Sequence, residues 1–340
     1  MDIKKIDNFL NTYGHTVTSL GLLDGKMGQC LCLFVGGRMS NDQCQSDHAE
    51  KLLAEVLLDM ESETATSIAS GIMGIALGLT FLTQQKYIDG DINEILEDID
   101  RYMYKSTSKF IQKEMPIEED TPILDALLYM LVRRYSTNNM QYRRLYDMII
   151  IQLFNYIYIH VPFDFWDEPL PFNIKYNCCV FLMELMAIYR LGIENERILH
   201  MLDELKCTIF SRMPLLHPNR LVLMATAAFV GATTEKEEWS DFAKRIRAEI
   251  DVDNLLTKDI HDKSVFPTNG IMGVWIVCEI YNRYFADDKL EIDICELRER
   301  VLESSLWDRL DGDCDFIKRN LSMDGLYGIR LLVQYLDKKQ

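Results

Sequence analysis

A short phrase, a capping-type residue followed by Gly-x-x-Gly and an apolar run, constrains this chain more than any other feature, because it occurs four times. The copies are Asp24-Gly25-Lys26-Met27-Gly28, Ser70-Gly71-Ile72-Met73-Gly74, Asn269-Gly270-Ile271-Met272-Gly273 and Asp324-Gly325-Leu326-Tyr327-Gly328. Each opens a stretch with the pattern of a helix, and Asp, Ser and Asn are good N-cap residues. A phrase that returns in this way marks a repeat architecture.

The gap between the second and third copies holds three degenerate starts. They are Thr121-Pro122 before the apolar run 123–135, Asn173 before 174–189, and His217-Pro218 before 221–230. Pro122 and Pro218 suit a first helical turn, where a missing N–H costs nothing. Starts then fall near 24, 70, 121, 173, 217, 269 and 324, with intervals of 46, 51, 52, 44, 52 and 55 residues. Each interval also holds a more polar helix: 48–60, 92–113, 141–159, 194–212, 238–250 and 290–305, with 3–13 as the seventh. The spacing of Ile92, Ile95, Leu96, Ile99, Tyr102 and Met103 is that of an amphipathic helix, whereas 72–82 is apolar nearly all round.

Seven buried helices alternating with seven amphipathic ones predict an all-α fold, a two-layer α/α toroid in a single domain spanning 1–340. An open superhelix needs polar terminal caps. The last unit, 325–336, is as apolar as the first, so closure of the ring is expected. Glycines at i and i+3 share one helix face, and each costs about 1 kcal/mol relative to Ala. Close helix packing is the simpler explanation for them, approach of a ligand the functional one. If all seven inner helices start on one rim, their N–H groups converge and favour a carboxylate or phosphate.

This chain is similar to the lanthionine synthetase C-like proteins, whose inner helices begin with such Gly-x-x-Gly units. The likeness runs through the whole period and is most specific in Gly21-Leu22-Leu23-Asp24-Gly25 with Gly28, and in Ala69-Ser70-Gly71-Ile72-Met73-Gly74-Ile75-Ala76-Leu77-Gly78. The resemblance implies thioether ring closure in ribosomal peptides, with zinc holding the attacking cysteine as thiolate. It also implies three zinc ligands: a cysteine just before the glycines of the fifth unit, and a Cys-His pair just before the first glycine of the sixth. Here the pair position reads Thr268-Asn269, and the fifth unit reads Leu215-Leu216-His217-Pro218-Asn219. No zinc cofactor is therefore expected, with His217 the one weak candidate for a metal.

Other constellations in the chain carry chemistry of their own. Cys30-Leu31-Cys32 and Cys178-Cys179 lack chelating spacing on a helix, and buried small hydrophobes are the plainer reading of them. α/α toroids also carry carbohydrate chemistry, which needs two carboxyls. Asp125, Asp164 and Asp167 are the catalytic candidates, with the loop Phe163-Asp164-Phe165-Trp166-Asp167-Glu168 as an aromatic platform. Asp24 and Asp324 read more simply as N-caps, each worth about 1 kcal/mol. The expected binding cavity combines Asp24, Gly25, Gly28, Gly71, Gly74, Trp166, His217, Asn269, Gly270, Gly273, Asp324, Gly325 and Gly328. His261 reads as solvated loop, and 235–238 as an exposed acidic helix start.

Composition bounds the partners. A net charge of −17 disfavours nucleic acid and anionic membrane surfaces but permits a basic peptide. Nine cysteines without framework spacing fit a reducing cytoplasm. The start, Met1-Asp2-Ile3-Lys4-Lys5, lacks the apolar core of a signal peptide. No apolar run reaches the roughly 18 residues of a membrane span; 148–161 comes nearest and carries Gln152, Asn155 and His160. The expectation is a cytoplasmic protein that binds a peptide or a peptide-modifying enzyme without closing rings itself. The alternatives are a carbohydrate-active hydrolase or isomerase, and a thioether-forming cyclase with relocated ligands such as His217 plus inner-helix cysteines.

Overall fold

The structure is a computed structural model that describes residues 3–118, 121–260, 264–290, 293–310 and 313–339. Among these there is no strand, and fourteen helices have ten residues or more. In chain order they are α1 (Ile3–Tyr13), α2 (Lys26–Ser40), α3 (Gln43–Asp59), α4 (Ile72–Gln84), α5 (Glu97–Gln112), α6 (Ile123–Ser136) and α7 (Met140–His160). Then follow α8 (Asn177–Arg190), α9 (Asn195–Phe210), α10 (His217–Thr234), α11 (Glu237–Ala248), α12 (Ile271–Tyr284), α13 (Ile294–Glu303) and α14 (Leu326–Lys339). The even-numbered helices are those expected inside. Burial separates the two kinds, since α2 buries residues on every side, from Met27 to Gly37, and α11 buries only the stripe Trp239, Phe242, Ala243 and Ile246.

Some boundaries differ from the sequence reading. The polar helix expected at 92–113 breaks at Leu96 into a turn Ile92–Ile95 and α5. Tyr102, placed on its apolar stripe, is exposed. The fourth start slips from Asn173 to Tyr176, because Asn173 turns its Oδ1 onto the N–H of Lys175 instead of capping the helix. His261 lies outside the described residues.

The chain forms two compact units, Met1–Leu96 with Ile260–Gln340, and Glu97–Asp259. In the first, α2 lies between α4 and α14, with α3 folded back on it; α14 also packs on α1 and α13. The last inner helix is thus a neighbour of the first, the contact that closure requires. Trp275 of α12 reaches Tyr335 of α14 with ring centroids 5.6 Å apart. In the second unit the inner helices run in the order α6, α8, α10, and α7, α9 and α11 each cover their own inner partner.

Three outer helices begin differently from the glycine-capped inner ones. Asp42, Asn139 and Asp293 cap the outer helices α3, α7 and α13 with their side chains. The inner helices α2, α4 and α12 have Gly25, Gly71 and Gly270 at the N-cap and no side-chain cap. The expectation that Asp24, Ser70 and Asn269 cap these helices is therefore corrected by one residue. A backbone device does the work instead. The N–H after each capping glycine donates seven residues back: Lys26 to Ser19 O, Ile72 to Ala65 O and Ile271 to Ser264 O, at 2.9 to 3.2 Å. Leu326 makes the same bond to Asn320 O, six residues back, at 2.8 Å.

That crossing loop explains the glycines. A Cβ at Gly28 would sit 1.9 Å from Leu22 O, one at Gly74 2.1 Å from Ile68 O, and one at Gly328 1.8 Å from Met323 O. The loop lies across the helix start where a side chain would stand.

Candidate functional site

In the first unit the four Gly-x-x-Gly starts meet in one hydrogen-bonded rim. Gly21 N–H donates to Ser70 O, Leu22 N–H to Ile68 O, and both Leu23 and Asp24 N–H to Ala69 O, at 3.0 to 3.1 Å. Asp324 N–H donates to Leu23 O at 3.0 Å, and the Ser322 hydroxyl bonds the same oxygen. Thr268 then donates its N–H and its hydroxyl to the two carboxylate oxygens of Asp324, at 2.9 and 2.5 Å. Loops of the second, first, seventh and sixth repeats are joined in that order. Gly25, Gly28, Gly71, Gly74, Gly270, Gly273, Gly325 and Gly328 are all buried in this rim and its helix starts. Of the polar candidates, Asp24 and Asn269 remain exposed, while Asp324 is tied to Thr268.

The rim uses up backbone donors that were expected to attract an anion. At the start of α2, Lys26, Met27 and Gly28 direct their N–H groups to Ser19, Leu20 and Gly21 carbonyls. At α2 the donors that the sequence reading turned toward an anion are thus spent within the loop.

In the second unit the fifth start is held by acids from elsewhere. Glu168 accepts the N–H of Leu215 at 2.8 Å, that of Leu216 at 3.3 Å and the Asn219 amide at 2.8 Å. A carboxylate at a helix N-terminus is favoured by the helix dipole, and here the chain supplies its own. Sequence reasoning missed Glu168 in this role. Leu216 caps α10 with no side chain of its own, and no local motif in the sequence pairs that start with Glu168. His217 donates its N–H to Asp259 at 2.7 Å. Its ring Nδ1 accepts from Asp251 N–H at 3.3 Å, with Arg220 Nη1 3.5 Å away.

The loop 163–168 does not make the aromatic platform expected of it. Trp166 is 7% exposed and packs against Phe165 and Phe181, with centroids 5.1 and 5.5 Å apart. Its carbonyl takes the hydroxyl of Tyr176. Asp167 pairs with Arg212, and Asp164 is exposed. The structure gives Asp125 a different companion. Asp125 stands in the first turn of α6, and Glu184 of the adjacent α8 is buried with neither carboxyl oxygen hydrogen-bonded among the described residues. Burial first, and the nearby Asp125 charge second, push the Glu184 pKa well above the carboxylate range, so Glu184 is held as the neutral acid.

One solved structure, nisin cyclase, matches 99% of this chain and 94% of its own length, with a TM-score of 0.69 and 14% identity. The fold is that of nisin cyclase. It is the all-α fold that the repeat and the resemblance predicted, reached at an identity that speaks for the fold alone. No family model matches the sequence, and no curated protein matches it. Among the described residues no helix is long and apolar enough to cross a membrane.

Zinc, which the resemblance implies, does not fit the residues present. Thr268, at the place of a ligand cysteine, has both donors on Asp324, and Asn269 Oδ1 accepts from Ser264 at 3.2 Å. His217 has Nδ1 turned to the Asp251 N–H. Burial pushes the Cys32 and Cys178 thiols up to about 12, which withholds the thiolate that zinc binds. Among the described residues no group of three or more His, Cys, Asp or Glu is placed to hold a metal ion. Cys30, Cys32, Cys178 and Cys179 are buried as the sequence suggested, whereas Cys44, Cys207, Cys295 and Cys314 are exposed.

Proposed function

We propose that this chain is a lanthionine synthetase C-like protein that binds a ribosomal peptide, or the enzyme that modifies it, and does not carry out zinc-dependent ring closure. The fold of nisin cyclase supports the link to peptide modification. The observation that carries the second half is the bond pair from Thr268 to Asp324, which puts a structural clasp where the family's chemistry needs a metal ligand. A cyclase stripped of its ligands keeps the surface that receives the peptide, and the net charge of −17 suits a basic one. A cytoplasmic location follows from that role.

The test uses purified full-length chain from zinc-replete expression. Metal analysis of the wild type and of His217→Ala comes first, then incubation with dehydrated precursor peptides and a count of their free thiols by alkylation and mass spectrometry. The expected result is peptide binding by calorimetry, with no stoichiometric zinc and no loss of thiols. About one zinc per chain that vanishes in His217→Ala, with thiols consumed, would overturn the non-catalytic reading and favour relocated ligands.

One observation favours a second reading, a carbohydrate-active hydrolase or isomerase. A neutral Glu184 beside Asp125 is the combination of acid and carboxylate that such chemistry uses. Asp164 and Asp167 contribute less to it, because Asp167 is engaged by Arg212.

A further inference from the structure

In the first unit, residues of α1, α2, α3 and α14 line a cavity of about 330 Å³. It lies where the first and last repeats meet, with Tyr327 of the seventh start in its lining. Its walls carry charges of both signs. Arg330 donates Nε to Asp7 at 2.9 Å and Nη1 to Gln334. These bonds fix the guanidinium plane and leave Nη2 without a partner among the described residues. Asp42 receives the Cys44 and Gln45 N–H groups on Oδ1 alone, at 2.9 and 3.3 Å. Its second oxygen stays available. Leu10, Leu331 and the ring of Tyr327 line the same cavity.

We propose that this cavity binds a small zwitterion, a free amino acid or a dipeptide with an apolar side chain. The charges choose the class. A simple anion attracted to Arg330 would face the carboxylates of Asp7 and Asp42. A simple cation drawn to those carboxylates would face the guanidinium. In either case one charge is brought near its like without compensation, which works against a simple ion even in this partly open cavity. A molecule with a carboxylate and an ammonium group a few bonds apart answers both poles at once. The carboxylate takes Arg330 Nη2, where a charge-assisted bond is strong. The ammonium takes the open oxygen of Asp42, and the side chain lies on Leu10 and Leu331. The volume is at the small end of ligand sites, which run from about 300 to 1,000 Å³.

Cys44 lines the same cavity and is exposed, so it reports occupancy. The experiment is alkylation of the full-length protein with iodoacetamide, followed cysteine by cysteine by mass spectrometry, with calorimetry in parallel. The probes are L-leucine, the dipeptide Leu-Leu, N-acetyl-L-leucine and L-leucine amide. Leucine or Leu-Leu is expected to bind saturably and slow alkylation of Cys44 while leaving Cys207, which lies outside the cavity, unchanged. Removing either charge, in the acetyl or amide analogue, is expected to weaken binding at least about tenfold. Asn11→Phe places a ring in the cavity from an exposed position and should abolish binding with an unchanged far-ultraviolet spectrum. No saturation by leucine or Leu-Leu up to about 10 mM overturns the proposal. So does equal binding of a blocked analogue, which would mark a simple ion site. Binding that leaves Cys44 unprotected places the ligand elsewhere and also overturns it. These readings use the wild type, so they stand if Asn11→Phe does not fold.

Discussion

Asp324 holds Thr268 by two hydrogen bonds, 2.9 Å from the backbone N–H and 2.5 Å from the hydroxyl, across 56 residues of sequence. The pair fastens the sixth repeat to the seventh. Asp324 N–H continues the chain of contacts to Leu23 of the first repeat. The same bonds occupy both donors of Thr268, at the place where the resemblance implies a ligand cysteine. One local arrangement thus joins the sixth, seventh and first repeats in one rim.

Thr268→Val keeps the shape of the side chain and deletes the hydroxyl. Thr268 is buried, and hydrogen bonds to charged groups contribute about 1.5 to 3 kcal/mol. The variant is expected to lose that amount in urea denaturation, with the slope unchanged. A midpoint equal to wild type would show that the hydroxyl bond carries no net stability.

Gly28→Ala reverses the usual sign of a glycine substitution. In an exposed helix interior the change stabilises by about 1 kcal/mol. Here the new methyl lands 1.9 Å from Leu22 O and 2.8 Å from the Met323 Cβ. Relief requires movement of backbone in two loops, so a loss of about 3 kcal/mol or more is expected. Gly36→Ala is the control, since its nearest neighbours are the flexible ends of Gln45 and Gln334 at 3.1 and 3.3 Å. Equal effects at both positions would sink the crossing-loop account.

These glycines also show what the sequence could and could not disclose. The period, the alternation of buried and amphipathic helices, and the fold were legible because a repeated phrase and a 3.6-residue pattern are local signals. The cap assignment slipped by one residue because the start is capped by backbone seven positions upstream, as in Ile72 N–H to Ala65 O, and no side-chain motif announces such a bond. Trp166 looked like a platform from composition alone. Its burial depends on Phe181 of a later helix, a contact without a sequence signature. Glu168 was illegible for the same reason, since its partners Leu215, Leu216 and Asn219 lie in the fifth repeat.

Asp100, on an outer helix that reads as solvent-facing, is a second case, and it can be tested. Arg133 is fully buried and bonds Asp100 through Nε at 3.0 and 3.1 Å and Nη2 at 2.8 Å. Tyr129 and Tyr146 donate their hydroxyls to the same carboxylate at 2.5 and 2.7 Å. This pins α5, α6 and α7 together. Asp100→Asn leaves a buried guanidinium short of its counter-charge and is expected to cost about 3 to 5 kcal/mol. The double variant Asp100→Leu with Arg133→Met should be less destabilised than Asp100→Asn alone. A double-mutant cycle with no coupling would contradict the arrangement.

Glu184 gives the chain a distinctive dependence on pH. Its pKa is raised in the folded state by burial and then by Asp125, so the folded protein holds a proton that the unfolded chain releases above the ordinary carboxylate range. The folded state binds more protons there, and stability falls as pH rises. The contribution is complete below the unfolded pKa and is lost as pH climbs toward the folded one. Glu184→Gln replaces the neutral acid with a neutral isostere that has no proton to hold. It is expected to match wild type near pH 4 and to exceed it in urea midpoint by a margin that grows toward pH 7.5. A margin that stays flat with pH, or a wild type that gains on the variant as pH rises, would mean that Glu184 is ionised in the fold. In that event the acid of the Asp125 pair is lost, and with it the main support for carbohydrate chemistry in this protein.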